Sequence, residues 1–93
     1  MNIKDVEKIS KALGDPYRLK IVEAIKKEKT WMQCSDIVVM FGLAQSTVSH
    51  HMKQLVDADL LIAEKEGRNT KYVVNNKVFS DYIKFLTPFE GKK

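Results

Sequence analysis

The stretch Gly42-Leu43-Ala44-Gln45-Ser46-Thr47-Val48-Ser49-His50-His51-Met52-Lys53-Gln54-Leu55-Val56 decides how this chain folds. Val48, Met52, Leu55 and Val56 recur at three- and four-residue steps and draw one apolar stripe along a helix. Gln45, Ser46, Ser49, His50 and Lys53 share another face, rich in hydrogen-bonding groups and free of carboxylates. An ordinary solvated helix face mixes Glu with Lys. An acid-free face suits a polyanion, because base edges offer donors and acceptors while phosphates repel acids.

Upstream, Ser35 and Asp36 are expected to cap a short helix through Ile37, Val38, Val39, Met40 and Phe41, which Gly42 ends. Two short helices around a tight glycine turn, the second with a polar outer face, describe a helix-turn-helix over about residues 35–58. Ala58 should close the second helix (45–58), and Asp59 should take the left-handed stop that Asp tolerates. Downstream, Leu60–Glu66 and Thr70–Val74 flank the polar turn Gly67-Arg68-Asn69 and read as a hairpin over about residues 60–75. Leu61 and Ala63 should share a face with Tyr72 and Val74. A hairpin directly after a recognition helix is a wing. Arg68 sits at its tip and Lys65 and Lys71 on its arms, while Glu64 and Glu66 must point away from phosphates.

At the start of the chain, Ile3, Val6, Ile9, Ala12 and Leu13 form a first amphipathic helix. Gly14 stands where a left-handed stop is expected, Asp15 is the next N-cap, and Pro16 opens a second helix running to about Glu28. Leu19, Ile21, Val22 and Ile25 are its apolar residues, and Lys26, Lys27, Glu28 and Lys29 close it with charge. Thr30-Trp31-Met32-Gln33 has extended character. A last helix over about residues 77–87 carries Val78, Phe79, Tyr82, Ile83, Phe85 and Leu86; Pro88 stops it, and Glu90-Gly91-Lys92-Lys93 is an expected frayed tail. The fold class is mainly α with a small β-hairpin, about five helices and a two-stranded wing in one domain, 1–93.

Ninety-three residues hold one core, and a hydrophobic share of 44% with 30% charged residues suits a soluble chain. Sixteen Lys and Arg against twelve Asp and Glu give +4, a mild basic excess consistent with a polyanionic partner. Cys34 is the one cysteine, so neither an internal disulfide nor a Cys-x-x-Cys pair forms. Met1-Asn2-Ile3-Lys4-Asp5 lacks an apolar signal core, and no run approaches the roughly 18 residues of a membrane span. A cytoplasmic protein with no membrane partner is expected. A phosphate loop, His-Glu-x-x-His and Gly-x-Ser-x-Gly are all missing, and Ser49 beside His50 and His51 has no orienting acid. The chain reads as a non-enzyme without cofactor.

Leu13-Gly14-Asp15-Pro16-Tyr17-Arg18-Leu19-Lys20-Ile21-Val22, then Leu43 through Leu55, then Ala58-Asp59-Leu60-Leu61, with Gly67-Arg68 and Tyr72, resemble the ArsR family of winged helix-turn-helix repressors. Three segments in the family's order and spacing cover nearly the whole chain. The resemblance implies a homodimeric transcriptional repressor on double-stranded operator DNA, an inverted repeat, released by an effector. It also implies dimerisation through the first and last helices. The residues themselves point the same way: Val6, Ile9 and Leu13 with Val78, Phe79, Tyr82 and Ile83 would bury each other across a two-fold axis.

Departures from the family pattern are Ala44 where it offers Ser as a cap, and Asp59 where it offers Gly. Metal-sensing relatives carry Cys-x-Cys just before the Asp of the third helix; here Gln33 and Ser35 flank Cys34. The family's other site needs Asp and His in the last helix, which holds only Asp81. Soft metals need thiolates, so no metal site is expected, and a small-molecule effector stays unidentified.

Gln45, Ser46, Thr47, Ser49 and His50 are the expected groove contacts, Lys53, Lys65 and Lys71 the phosphate contacts, and Arg68 a minor-groove or phosphate contact. His51 falls beside Val48 and Leu55 and should pack inward. Arg18 should hold Asp15 or the helix packing. Cys34 reads as a small buried hydrophobe, with a redox switch as its alternative. Trp31, Met32, Met40 and Met52 read as core filler. The leading function is a sequence-specific repressor; the alternative is a winged-helix adaptor that has lost DNA binding.

Overall fold

Local punctuation sets the element boundaries in the computed structural model, which describes residues 1–28 and 30–91. The order is α1 (Ile3–Leu13), α2 (Pro16–Glu28), α3 (Cys34–Phe41), α4 (Gln45–Asp57), β1 (Leu61–Glu66), β2 (Asn69–Val74) and α5 (Asn76–Leu86), closed by a 3-10 turn, Thr87–Phe89. Lys29, and Lys92 and Lys93 of the expected tail, lie outside the described residues.

Asn2 caps α1 by accepting from the Asp5 N–H at 2.8 Å. Gly14 ends that helix, but at φ −79° and ψ 15° rather than in the left-handed stop the sequence suggests. The next helix starts at once, with Asp15 Oδ1 accepting from the Tyr17 and Arg18 N–H groups at 2.8 and 3.2 Å, so no left-handed reversal is needed. Glycine serves closeness here: a Cβ at position 14 would sit 3.3 Å from the Ser10 carbonyl oxygen.

The third helix also starts differently. Gln33, not Ser35, occupies the cap position, and Asp36 reaches back to accept from the Gln33 N–H at 2.9 Å. Asp36 thus serves the helix start through a capping box, as expected of it, and only the expectation for Ser35 is corrected. Gly42 at φ 65° and Asp59 at φ 61° both adopt the left-handed conformation expected of them. Ala44 supplies no side-chain cap to α4.

The hairpin pairs antiparallel with Leu61 opposite Val74 and Ala63 opposite Tyr72, the shared face the alternation anticipates. Met32 donates to and accepts from Tyr72 at 3.1 and 2.9 Å, so the extended linker joins the sheet as a one-residue third strand.

One core takes Ile9 and Ala12 from α1, Ile21, Ala24 and Ile25 from α2, and Ile37 from α3. Met32, the α4 residues Val48, Met52 and Leu55, and Ala58, Leu60 and Leu61 complete it. Each large side chain so buried contributes about 1.5–3 kcal/mol. Some expected core residues stay outside: Leu19 and Met40 are exposed, and Val39 is 84% exposed. Eight residues of α3 give only about two turns, so Ile37 alone is fully buried there, Val38 and Phe41 pack half-buried on the core, and Val39 and Met40 point away. No residue of α5 is fully buried; Val78, Phe79 and Tyr82 pack half-buried on the core.

Candidate nucleic-acid interface

Val48, His51, Met52 and Leu55 bury the inner side of α4 and fix its rotation. Gln45, Ser46, Thr47, Ser49, His50 and Lys53 are consequently all exposed on the outer side. Thr47 thus faces solvent rather than the core. The first carboxylate of this helix is Asp57, its last residue, 3.2 Å from Lys53. Such an exposed pair is weak and releases the lysine to a phosphate readily.

Ser49 has a neighbour no sequence spacing announces. Its hydroxyl lies 3.7 Å from the Cys34 thiol across the helix-turn-helix. Cys34 is half-buried at that seam and packs against the core, less covered than the small buried hydrophobe the sequence suggests. Burial raises the Tyr72 phenol above its ordinary pKa, and Cys34 adds to the rise.

Behind α4 a polar joint replaces apolar packing. Arg18 donates from Nε to the Ala12 carbonyl at 2.6 Å and from Nη2 to the Lys11 carbonyl at 3.3 Å. Its Nη1 lies 3.3 Å from His51 Nδ1, and His51 is 8% exposed, inward as expected. The Tyr17 ring stacks on His51 with centroids 6.2 Å apart and meets Phe41 edge-on. Arg18 serves Asp15 only through its backbone N–H and its charge. Burial pushes the Asp15 carboxyl upward, but the N–H groups of Arg18 and Tyr17 and the nearby positive charge of Arg18 outweigh it and hold its pKa below the ordinary aspartate value.

On the wing, Lys65 and Arg68 are exposed, and Gly67 at φ 60° makes the tight turn that presents Arg68. Lys71 is placed differently. Its side chain is 31% exposed, its Nζ lies 2.6 Å from Glu66 Oε1 and 4.6 Å from the Trp31 ring centroid. Trp31 is thus a cation–π platform that holds the wing arm rather than core filler.

The expected dimer residues divide. Ile9 is a correction: at 2% exposure it fills its own protomer's core, because α1 turns that side toward α4 and α2. Val6, Leu13, Val78, Phe79 and Tyr82 are half-buried, and the Tyr82 hydroxyl lies 2.8 Å from Ser10 Oγ, tying α5 to its own α1. Ile83 is 60% exposed. Sequence periodicity missed that Ile3, Leu19, Leu86 and Phe89 are exposed too. Leu13, Leu19, Val22, Val74, Phe79 and Ile83 line an open apolar groove of about 840 Å³ between α2 and α5.

Among the described residues no three His, Cys, Asp or Glu side chains converge. Cys34 between Gln33 and Ser35 gives one thiol, and Asp81 is paired with Lys77 at 3.4 Å on a helix without histidine. Neither donor set fits a soft metal. No described helix is long and apolar enough to cross a membrane.

The sequence profile of bacterial regulatory proteins of the arsR family matches residues 15–63, from the Asp15 cap into the first half of β1. An arsenical resistance operon repressor of Staphylococcus xylosus is 37% identical over 89% of this chain and 77% of its own. The transcriptional repressor PagR of Bacillus anthracis is 31% identical over 97% of this chain and 89% of its own. PagR's crystal structure superposes with a TM-score of 0.73 over 90% of this chain and 94% of that one. A homodimeric winged helix-turn-helix DNA-binding domain of Mycobacterium bovis, 20% identical, shares the fold with a TM-score of 0.76 over 95% of this chain and 81% of that one.

Proposed function

This chain belongs to the ArsR family of winged helix-turn-helix transcriptional regulators, and we propose that it represses as a homodimer on an inverted-repeat operator. Each protomer lays α4 in a major groove. The single observation that carries this reading is the division of α4: its inner side is locked by four buried residues, and its outer side is exposed and acid-free down to Asp57. A helix held rigidly with that outer face needs no rearrangement to reach base edges.

Gln45, Ser46, Thr47, Ser49 and His50 contact bases or nearby phosphates in this reading, Lys53 and Lys65 contact phosphates, and Arg68 reaches the flanking minor groove. Lys71 acts chiefly by holding the wing through Trp31. Leu13, Val78, Phe79, Tyr82 and Ile83, with Val6, face the partner protomer across the two-fold axis, as the exposure of Ile83 supports. The relatives' names are those of operon repressors, which fits this role and gives no support to the adaptor alternative. A soft metal does not serve as effector in this reading, because Gln33 and Ser35 stand where a thiolate pair would be needed. The protein works in the cytoplasm.

The test is a gel shift with the promoter of the protein's own operon across a salt series. Wild type binds with the salt sensitivity of phosphate contacts, and Ser49→Glu weakens binding by roughly tenfold to a hundredfold through one misplaced carboxylate. Undiminished binding by Ser49→Glu would remove α4 as the reading helix.

A further inference from the structure

We infer that Arg18 and His51 form a joint that fixes the recognition helix to the first helix, and so set the half-site spacing the dimer accepts. This rests on the dimeric reading above. The guanidinium is a rigid planar fork, and here its three nitrogens serve two different helices. Nε and Nη2 donate to the Ala12 and Lys11 carbonyls at 2.6 and 3.3 Å, in the last turn of α1, where the Lys11 carbonyl also accepts from the Gly14 N–H at 3.2 Å. Nη1 donates to His51 Nδ1 at 3.3 Å in α4. Arginine only donates, so Nδ1 accepts and the neutral ring carries its proton on Nε2.

Nothing in this set is loose. His51 is buried, the Tyr17 ring stacks on it, and Asp15 holds the backbone of Tyr17 and Arg18 through Oδ1. Arg18, held by the Asp15 cap, therefore grips α1 on one side and α4 on the other, with Tyr17 packed against the same histidine. His51 occupies the inner side of α4, between Ser49 and His50, which precede it on the outer side, and Lys53, which follows.

The consequence is geometric. In a dimer built on α1 and α5, the angle between α1 and α4 in each protomer decides where the two recognition helices fall. A tilt of about 10° moves a point ~20 Å away by about 3.5 Å, which is close to the ~3.4 Å step of one base pair. Half-sites lie about one helical turn apart, and a one-step error also rotates the base edges out of register. A joint this stiff converts a small angular tolerance into spacing specificity. Arg18 and His51 are positioning residues: neither faces the DNA.

Competitive binding on inverted repeats whose spacer is lengthened or shortened by one or two base pairs tests this. Wild type, Arg18→Lys, His51→Phe and His51→Asn are compared, with folded fraction read by circular dichroism and dimerisation by light scattering. Wild type should prefer one spacing by about tenfold or more, the size of a typical mismatch penalty. Arg18→Lys reaches only one of the three acceptors, and His51→Phe keeps the ring against Tyr17 but loses the acceptor; each should flatten that preference to about threefold while an isolated half-site binds as before. His51→Asn puts an amide oxygen near the place of Nδ1 and should restore the preference. A merely stabilising role makes the variants weaker by the same factor on every spacing, and that outcome overturns the inference, as does an unchanged preference in both Arg18→Lys and His51→Phe. Tight operator binding by wild type with no spacing preference also overturns it. Absence of any operator binding by wild type overturns the repressor reading itself.

Discussion

Helices α4 and α5 are both amphipathic and of similar length, 13 and 11 residues, yet they use their apolar sides oppositely. The stripe of α4 is consumed within its own domain: Val48, His51, Met52 and Leu55 are all buried. That of α5 is left unfinished, with Val78, Phe79 and Tyr82 half-covered and Ile83 and Leu86 exposed. A helix whose apolar side is satisfied at home can present hydrogen-bonding chemistry on the other side. A helix whose apolar side is unsatisfied presents area, which a second copy would cover in the dimer proposed above.

The most damaging way to probe this contrast is a charge at the unfinished end. Ile83→Asp should leave the monomer folded, because the side chain is mostly exposed there, but should bury an unpaired carboxylate in the dimer. Light scattering should report a monomer. Operator affinity should fall by about a hundredfold or more, since two linked half-site contacts become separate ones. A dimer that survives the substitution would place the interface elsewhere.

Truncating a leucine in each helix separates the two in stability. Leu55→Ala in α4 should cost about 2–5 kcal/mol in urea unfolding, the range for emptying a filled core site. Leu86→Ala in α5 should cost a protein held monomeric by Ile83→Asp at most about 0.5 kcal/mol, as for a surface change. Equal costs would mean that α5 is as finished as α4.

Much of this contrast is written in the periodicity, and the part that is not has a common cause. The stripe on α4, the left-handed Gly42 and Asp59, and the hairpin register are local patterns with periods of 3.6 or 2. Ile9 shows their limit: its place on a stripe is legible, but whether the stripe meets its own domain or a partner is not, and the structure assigns Ile9 to its own core. Arg18 with His51, Cys34 with Ser49 and Lys71 with Trp31 join residues far apart in the chain, and no spacing rule anticipates such pairs. The left-handed stop misread at Gly14 is subtler. A glycine after a helix fits both a left-handed reversal and a close approach, and only the immediate start of α2 at Asp15 decides for the second.

Asp15 stands between the two regions, and its substitution is the smallest and most diagnostic change. Asp15→Ala removes the acceptor of the Tyr17 and Arg18 N–H groups and should cost about 0.5–2 kcal/mol near neutral pH. Its pKa is lowered in the fold below that of a free aspartate, so between the two values the unfolded chain binds more protons. The stabilisation is therefore present above the unfolded value and is lost as pH falls through the folded one. Urea unfolding of wild type and Asp15→Ala should show a gap that is constant from about pH 7 down to about pH 5 and narrows below about pH 4. A gap that widens on acidification would reverse the sign and would mean that burial, not the two N–H groups and the neighbouring charge, governs this carboxylate. A constant gap would mean that Asp15 caps α2 equally well as the neutral acid, and that the turn presenting Arg18 to α1 and α4 does not depend on its charge.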